Sequence, residues 1–282
     1  MDEARRAVAD LIGASPGEII LTAGATEANN LSVMGAAQRT KRRHILVSAI
    51  EHKCVLAPAA ALSKQGFEVQ VIPVDADGIV DLERLAQLIR PDTALVSVMA
   101  ANNEIGTLQP LAEIGAFCAE VGALFHTDAA QLVGKQPIDV LALGIDLLSL
   151  SAHKFYGPKG IGALYISGEA RSQIEPIIRG GGQQDGMRAG TLAPMLCAGL
   201  ATAAEKALAE QAADEMHARA LKTRLLSRLR KMVPGIQVNG SEARSLGCCL
   251  NIRIPGIDAH ALLMMLQAEL AASVGSDRKS VV

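Results

Sequence analysis

Short β-branched runs alternate with Ala- and Leu-rich stretches of helical length through the first two thirds of the chain, and few folds tolerate that alternation. It is the pattern of βαβ units around a mostly parallel sheet. The candidate strands are Ile19 to Thr22, His44 to Ser48, Glu68 to Pro73, Ala94 to Met99, Ala123 to Thr127, Leu147 to Leu150 and Gly162 to Ile166, each bounded by Gly, Pro or polar residues. Helices are expected over Thr26 to Gln38, Val55 to Lys64, Leu82 to Ile89 and Leu111 to Val121, with Pro58 in the first turn of the second, where proline is tolerated. The fold class is α/β: a mostly parallel seven-stranded sheet with flanking helices, followed by the start of a small α+β domain.

After Pro194 the texture changes. Met195 to Met232 is rich in Ala, Glu, Lys and Arg with few breakers and predicts one long helix or two in succession. Beyond Pro234 a strand around Cys248 to Ile254 and an apolar helix from Asp258 to Ala271 are expected. The division is a large domain over 1–194, a connecting helical region over 195–232 and an incomplete small domain over 233–282.

Composition removes several function classes. The 27 Lys and Arg against 29 Asp and Glu leave a net charge of −2, with no basic excess for a phosphate backbone. Four Phe, two Tyr and no Trp provide no base-stacking platform, so no nucleic-acid partner is expected. No apolar run reaches the ~18 residues of a spanning helix, and Met1-Asp-Glu-Ala-Arg-Arg lacks the apolar centre of a signal peptide. A cytoplasmic protein without membrane association is expected. The five cysteines are odd in number and form no CxxC pair, which disfavours a disulfide framework or a zinc site, and no metal is expected.

Chemistry concentrates where strands end. Phe125-His-Thr-Asp-Ala-Ala-Gln131 is a strand ending in an acid, and Leu147-Leu-Ser-Leu-Ser-Ala-His-Lys154 is a strand ending in a His-Lys pair. Open α/β sheets hold ligands at that edge, so Asp128 and Lys154 can face one bound molecule. A lysine forms a Schiff base with an aldehyde cofactor, and a carboxylate keeps a pyridinium nitrogen protonated, which together suggest pyridoxal phosphate. The plainer alternative is that Asp128 caps the following helix and Lys154 is a solvated surface lysine.

Thr22-Ala-Gly-Ala-Thr-Glu-Ala28 leads small residues into a helix whose free amides and dipole attract an anion; the same run also reads as a capping box with Thr26 as N-cap. Arg179-Gly-Gly-Gly-Gln-Gln-Asp-Gly-Met-Arg-Ala-Gly-Thr191 is a flexible Gly-rich loop, either a second phosphate contact or a mobile connection. His52, in Glu51-His-Lys53, is placed to stack on a ring, and Asn102-Asn-Glu-Ile-Gly106 to donate to a phenolic oxygen; each is equally a polar loop.

The segments GATEANNL, EHK, NNEIG, HTDAAQ, SAHKFYGPKGIGALY and GGGQQDGMRAGT stand in the order and spacing of the cysteine desulfurases, class V aminotransferases of fold type I that use pyridoxal phosphate. The chain resembles that family over nearly everything to Gly275. The resemblance makes Lys154 the Schiff-base lysine, Asp128 the partner of the pyridinium nitrogen, and His52 the residue that stacks on the ring and shuttles protons. It assigns Asn103 and Gln131 to the phenolic oxygen, Ala25, Thr26, Ser151 and His153 to the phosphate, and Thr191 to a contact across a homodimer interface. It implies L-cysteine as substrate, L-alanine as product, and a persulfide passed to acceptor or scaffold proteins in iron-sulfur cluster or thio-cofactor assembly.

The chain departs from the family pattern after Ala271-Ala-Ser-Val-Gly-Ser276, which resembles the approach to the persulfide-forming cysteine. That cysteine and a later substrate-binding arginine do not follow; Asp277-Arg-Lys-Ser-Val-Val282 does, a run that a common sequencing adapter would encode and that is expected to be a scar. The family segment ahead of the first helix, which helps cover cofactor and dimer interface, is also missing. None of the five cysteines matches the nucleophile: Cys54 follows the EHK run, Cys118 and Cys197 lie on expected helices and Cys248-Cys249 in an expected strand, and each reads as core. The expectation is a desulfurase-family chain without its own sulfur-accepting thiol and with little sulfide release. Another class V enzyme, such as a selenocysteine lyase or an aminotransferase, and a non-catalytic truncated chain are the alternatives.

Overall fold

The computed structural model describes residues 1–274; the expectation for residues 277–282 lies outside them. Seven strands form the central sheet: β1 (Ile19–Thr22), β2 (His44–Ser48), β3 (Glu68–Ile72), β4 (Thr93–Ser97), β5 (Leu124–Asp128), β6 (Leu147–Ser151) and β7 (Gly162–Ile166). Their order is β1-β7-β6-β5-β4-β2-β3. The pairs from β3 through β6 are parallel, whereas β7 runs against both β6 and β1. The mostly parallel α/β sheet predicted from the alternation is present, with one strand reversed.

Every residue of β2, β4, β5, β6 and β7 is buried, as expected of strands covered on both faces. Period-two alternation divides them between two apolar layers: Leu124, Leu147 and Leu164 face one side, Phe125, Leu148 and Tyr165 the other. The covering helices are α1 (Asp2–Ile12), α2 (Ala25–Gln38), α3 (Lys53–Ser63), α4 (Leu82–Leu88) and α5 (Leu111–Val121). Helix α1 falls outside the expected set. It buries Ala4, Ala7, Val8, Leu11 and Ile12 along one stripe and ends at Gly13, whose φ of +72° continues the chain in the left-handed conformation.

Helix α6 (Pro194–Met232) is continuous over 39 residues, so the stretch after Pro194 is one helix. At 1.5 Å per residue it is about 58 Å long. Its first turns pack through Cys197, Leu200, Ala201 and Ala204, and α1 lies along it. Beyond it come a two-stranded ribbon, β8 (Gln237–Val238) with β9 (Ile252–Arg253), and α7 (Ala259–Leu266), shorter than the helix expected to Ala271.

Two local expectations are corrected. Cys248 and Cys249 lie in a turn and not in a strand, and Cys248 is exposed and Cys249 half-buried instead of core. The Gly247 amide is drawn to the Glu215 carboxylate on α6 at 3.0 Å, which takes this segment out of strand pairing. Pro58 is the sixth residue of α3, not a first-turn residue, because His52 caps the helix and starts it at Lys53. Among the described residues no helix is long and apolar enough to cross a membrane.

Candidate active site

Strands β5 and β6 are parallel neighbours with Asp128 opposite Ser149, and the chain leaves β6 through a 3-10 turn, Ala152–Lys154. Asp128 and Lys154 therefore emerge at the same carboxyl edge of adjacent strands. Lys154 is exposed and Asp128 buried. Asp128 caps a turn and no helix: its Oδ1 accepts the Ala130 amide at 3.0 Å, and its Oδ2 accepts Asn29 Nδ2 at 2.7 Å. Burial still pushes its carboxyl above the ordinary range, because these donors only partly replace water.

Helix α2 begins one strand-length away. Its N-cap is Gly24, not Thr26, and no side chain caps its first turn. The capping-box alternative thus fails, because the chain turns into the helix at Gly24, whose φ of +147° disfavours any residue with a Cβ. Amides of Ala25 and Thr26 sit at the positive end of the helix dipole. Ser151 borders this turn: a Cβ on Gly24 would stand 3.4 Å from its Oγ, and the same Oγ lies 2.9 Å from His153 Nδ1. His153 is exposed; partial desolvation, then Lys154 and Lys159, hold its imidazolium below the ordinary range.

Glu27, in the first turn of α2, accepts the Ala23 amide at 3.0 Å and pairs with Arg188 at 2.7 Å. That pair and Gln184, whose side-chain amide exchanges hydrogen bonds with the Leu21 backbone at 2.7 and 2.8 Å, seat the Gly-rich loop against β1. The loop read as flexible is therefore anchored at these two points. Thr191 follows it, exposed ahead of α6.

His52 stands exposed at the N-cap of α3, and Cys54 is buried beneath it with its Sγ 2.8 Å from His52 Nδ1 and 2.9 Å from Asn29 Nδ2. Glu51 is buried beside them; its Oε1 accepts Ser48 Oγ at 2.9 Å and the Met99 amide at 2.5 Å. Burial first, then the neighbouring Asp128, push the Glu51 carboxyl up to about 8, so it holds its proton at neutral pH.

Asn103 is exposed and donates to Glu104 Oε1 at 2.9 Å. Its neighbour Asn102 is the buried one, with Oδ1 accepting the amides of Glu104 and Ile105 and so shaping the turn. Gln131 Oε1 accepts Lys135 Nζ at 3.1 Å, and burial, opposed by the nearby Cys248 and reinforced by Lys154, holds the Lys135 ammonium below its ordinary value. Asn29, Glu51, Cys54 and Lys135 are site residues that motif reasoning missed. A polar Asn at a buried position of a helix whose buried face is otherwise small or apolar was the legible signal for the first of them.

A buried acid and an exposed lysine at one carboxyl edge, beside an uncapped helix start, define a cofactor site of the α/β type. The pattern of the class-V aminotransferases matches residues 1–279, and the chain belongs to that family. It is 47% identical over 278 residues to a mitochondrial cysteine desulfurase of Drosophila melanogaster, covering 98% of this chain and 60% of that protein. Among solved structures it superposes on a NifS-like protein with a TM-score of 0.90 and 39% identity, covering 95% of this chain and 73% of that one. It superposes likewise on SspA in complex with cysteine, with a TM-score of 0.81 and 37% identity over 95% of this chain and 74% of the other. The chain spans 56% to 61% of the length of the curated relatives it matches.

The edge meets the demands of pyridoxal phosphate, the cofactor implied by the family. A phosphate needs free donors, which the first amides of α2 offer, with the Ser151 hydroxyl beside them; a Cβ at Gly24 would narrow that space. A pyridine nitrogen needs a desolvated carboxylate, which is Asp128, and an aldehyde needs a reachable amine, which is Lys154.

Proposed function

We propose that the chain is the cofactor-bearing part of a cysteine desulfurase, acting on L-cysteine to leave L-alanine and hand its sulfur to an acceptor as a persulfide. The observation that carries this reading is the placement of Asp128 and of the turn bearing Lys154 at one carboxyl edge of adjacent parallel strands. When bound, pyridoxal phosphate supplies an electron sink for negative charge at the substrate α-carbon. Asp128, already desolvated, would hold a proton on the ring nitrogen, and the cationic N–H would favour its ionised carboxylate. Lys154 Nζ would hold the aldehyde carbon, and as a free amine would serve as base toward the substrate α-proton. His52 would stack on the ring, and the amides of Ala25 and Thr26 with Ser151 and His153 would orient the phosphate. Asn103 and Gln131 are assigned to the phenolic oxygen, and Thr191 to the second site of a homodimer; the relative named for its complex with cysteine supports the substrate.

The test is covalent. Pyridoxal phosphate is added, borohydride reduces any cofactor linkage, and peptide mass spectrometry locates the label. A label on Lys154 that disappears in Lys154→Ala is the expected result. A label spread over surface lysines, or a visible absorption band unchanged in Lys154→Ala, would overturn the reading. Sulfide release from L-cysteine with an added reductant is expected to be small, because no cysteine of this chain is assigned as the sulfur acceptor; robust release would overturn that expectation.

A further inference from the structure

Cys54 occupies the junction of three elements, and the chemistry proposed above leaves it without a task. As N-cap of α3, His52 accepts the Cys54 backbone amide on Nδ1 at 3.2 Å. A nitrogen that accepts carries no proton, so the neutral ring holds its proton on Nε2. The Cys54 thiol lies 2.8 Å from that same Nδ1. Its sulfur receives Asn29 Nδ2 at 2.9 Å and stands 3.8 Å from Asp128 Oδ2. The orientation of Asn29 follows from charge: turned over, it would present its carbonyl to a carboxylate. Asn29 is fully buried, and its Oδ1 has no hydrogen-bond partner among the described residues. The amide is thus held in a costly position by what its nitrogen does.

We propose that Cys54 is a positioning residue: its thiol, held by Asn29, donates to His52 Nδ1 and so fixes the tautomer and tilt of the imidazole that faces the cofactor. The proposal rests on the cofactor reading, since the ring it orients is the one assigned to cover the heterocycle. The groups facing the thiol are His52, from its own turn, Asn29 from α2 and Asp128 from β5, with Glu51 close behind. Burial, and next Asp128, push the Cys54 thiol up to about 11, so at neutral pH it is an S–H able to donate and not a thiolate able to attack. This distinguishes it from a sulfur acceptor.

Nitrogen NMR of His52 in the protein without cofactor tests the arrangement independently of cofactor binding. The wild-type chain is expected to show an unprotonated Nδ1 and a protonated Nε2. Cys54→Ala is expected to raise the Nδ1-protonated fraction several-fold, moving the two resonances toward each other, and Cys54→Ser, which keeps a donor and an acceptor, to restore most of the wild-type pattern. A protonated Nδ1 in the wild-type chain, or identical spectra for wild type and a folded Cys54→Ala, would overturn the proposal. Should wild type fail to bind pyridoxal phosphate while the tautomer shifts as described, the functional reading fails and the thiol contact stands.

Discussion

Gly162 in β7 and Gly24 ahead of α2 approach so closely that a Cβ on Gly162 would stand 2.7 Å from the Gly24 Cα and 2.4 Å from the Leu150 carbonyl oxygen. The obstacle is backbone on both sides, which has no rotamer to give. The turn ahead of α2 is therefore seated on a glycine in the reversed strand, several residues beyond the lysine.

Gly162→Ala is expected to cost about 1–3 kcal/mol through overpacking. It should also weaken pyridoxal phosphate binding, because Gly24 must move outward. Denaturant unfolding and a cofactor titration check the two effects; an unchanged affinity would show that the turn is not the phosphate site.

Asp128→Asn is expected to split stability from binding. Removing a buried carboxylate relieves its desolvation, so the cofactor-free variant should unfold at higher denaturant than wild type. Its affinity for pyridoxal phosphate should fall about tenfold or more, ~1.4 kcal/mol, because an amide does not hold a cationic ring nitrogen.

His126 links the middle of the sheet, with Nδ1 2.8 Å from Ser97 Oγ and Nε2 3.1 Å from Ser149 Oγ. Burial pushes its imidazole down to about 3. The unfolded chain takes up this proton near pH 6.5 and the folded chain does not, so stability falls as pH drops from about 6.5 toward 3, by up to ~1.4 kcal/mol per pH unit. His126→Gln should show a flatter dependence between pH 7 and 4.5 in denaturant titrations. Equal slopes would mean the ring is protonated in the fold.

Glu51 acts in the opposite direction. Its folded value of about 8 lies above its unfolded one, so the folded chain binds the extra proton and stability falls as pH rises from about 4.5 to 8, by up to ~1.4 kcal/mol per pH unit. Glu51→Gln keeps an acceptor for Ser48 and the Met99 amide without the titration. Its stability relative to wild type should therefore climb with pH, as measured by unfolding at pH 5, 6.5 and 8.

The strands were legible because each is a short apolar run closed by a breaker, and β2 and β7 match their expected bounds residue for residue. Helix α1 was equally legible, since Ala4, Ala7, Val8, Leu11 and Ile12 recur at helical spacing, but its charges and small residues drew no helix expectation. At the site, Asp128 and Lys154 could be placed at one edge from their strand-end positions alone. Asn29 and Cys54 could not, because their roles arise where α2 and α3 converge on β5, a contact between residues 25 and 99 positions apart in sequence. The turn at Cys248 escaped for a similar reason: β-propensity favours a strand there, and the carboxylate of Glu215, a distant helix, overrides it.

The Gln184 side chain, bonded to both polar groups of Leu21, behaves as a one-residue stand-in for an eighth strand. A loop fastened in this manner does not drift by degrees: lifting it strips the border of the sheet and leaves bare peptide groups ready to template another chain. The same glutamine thus ties down the Gly-rich loop and covers the open border of β1.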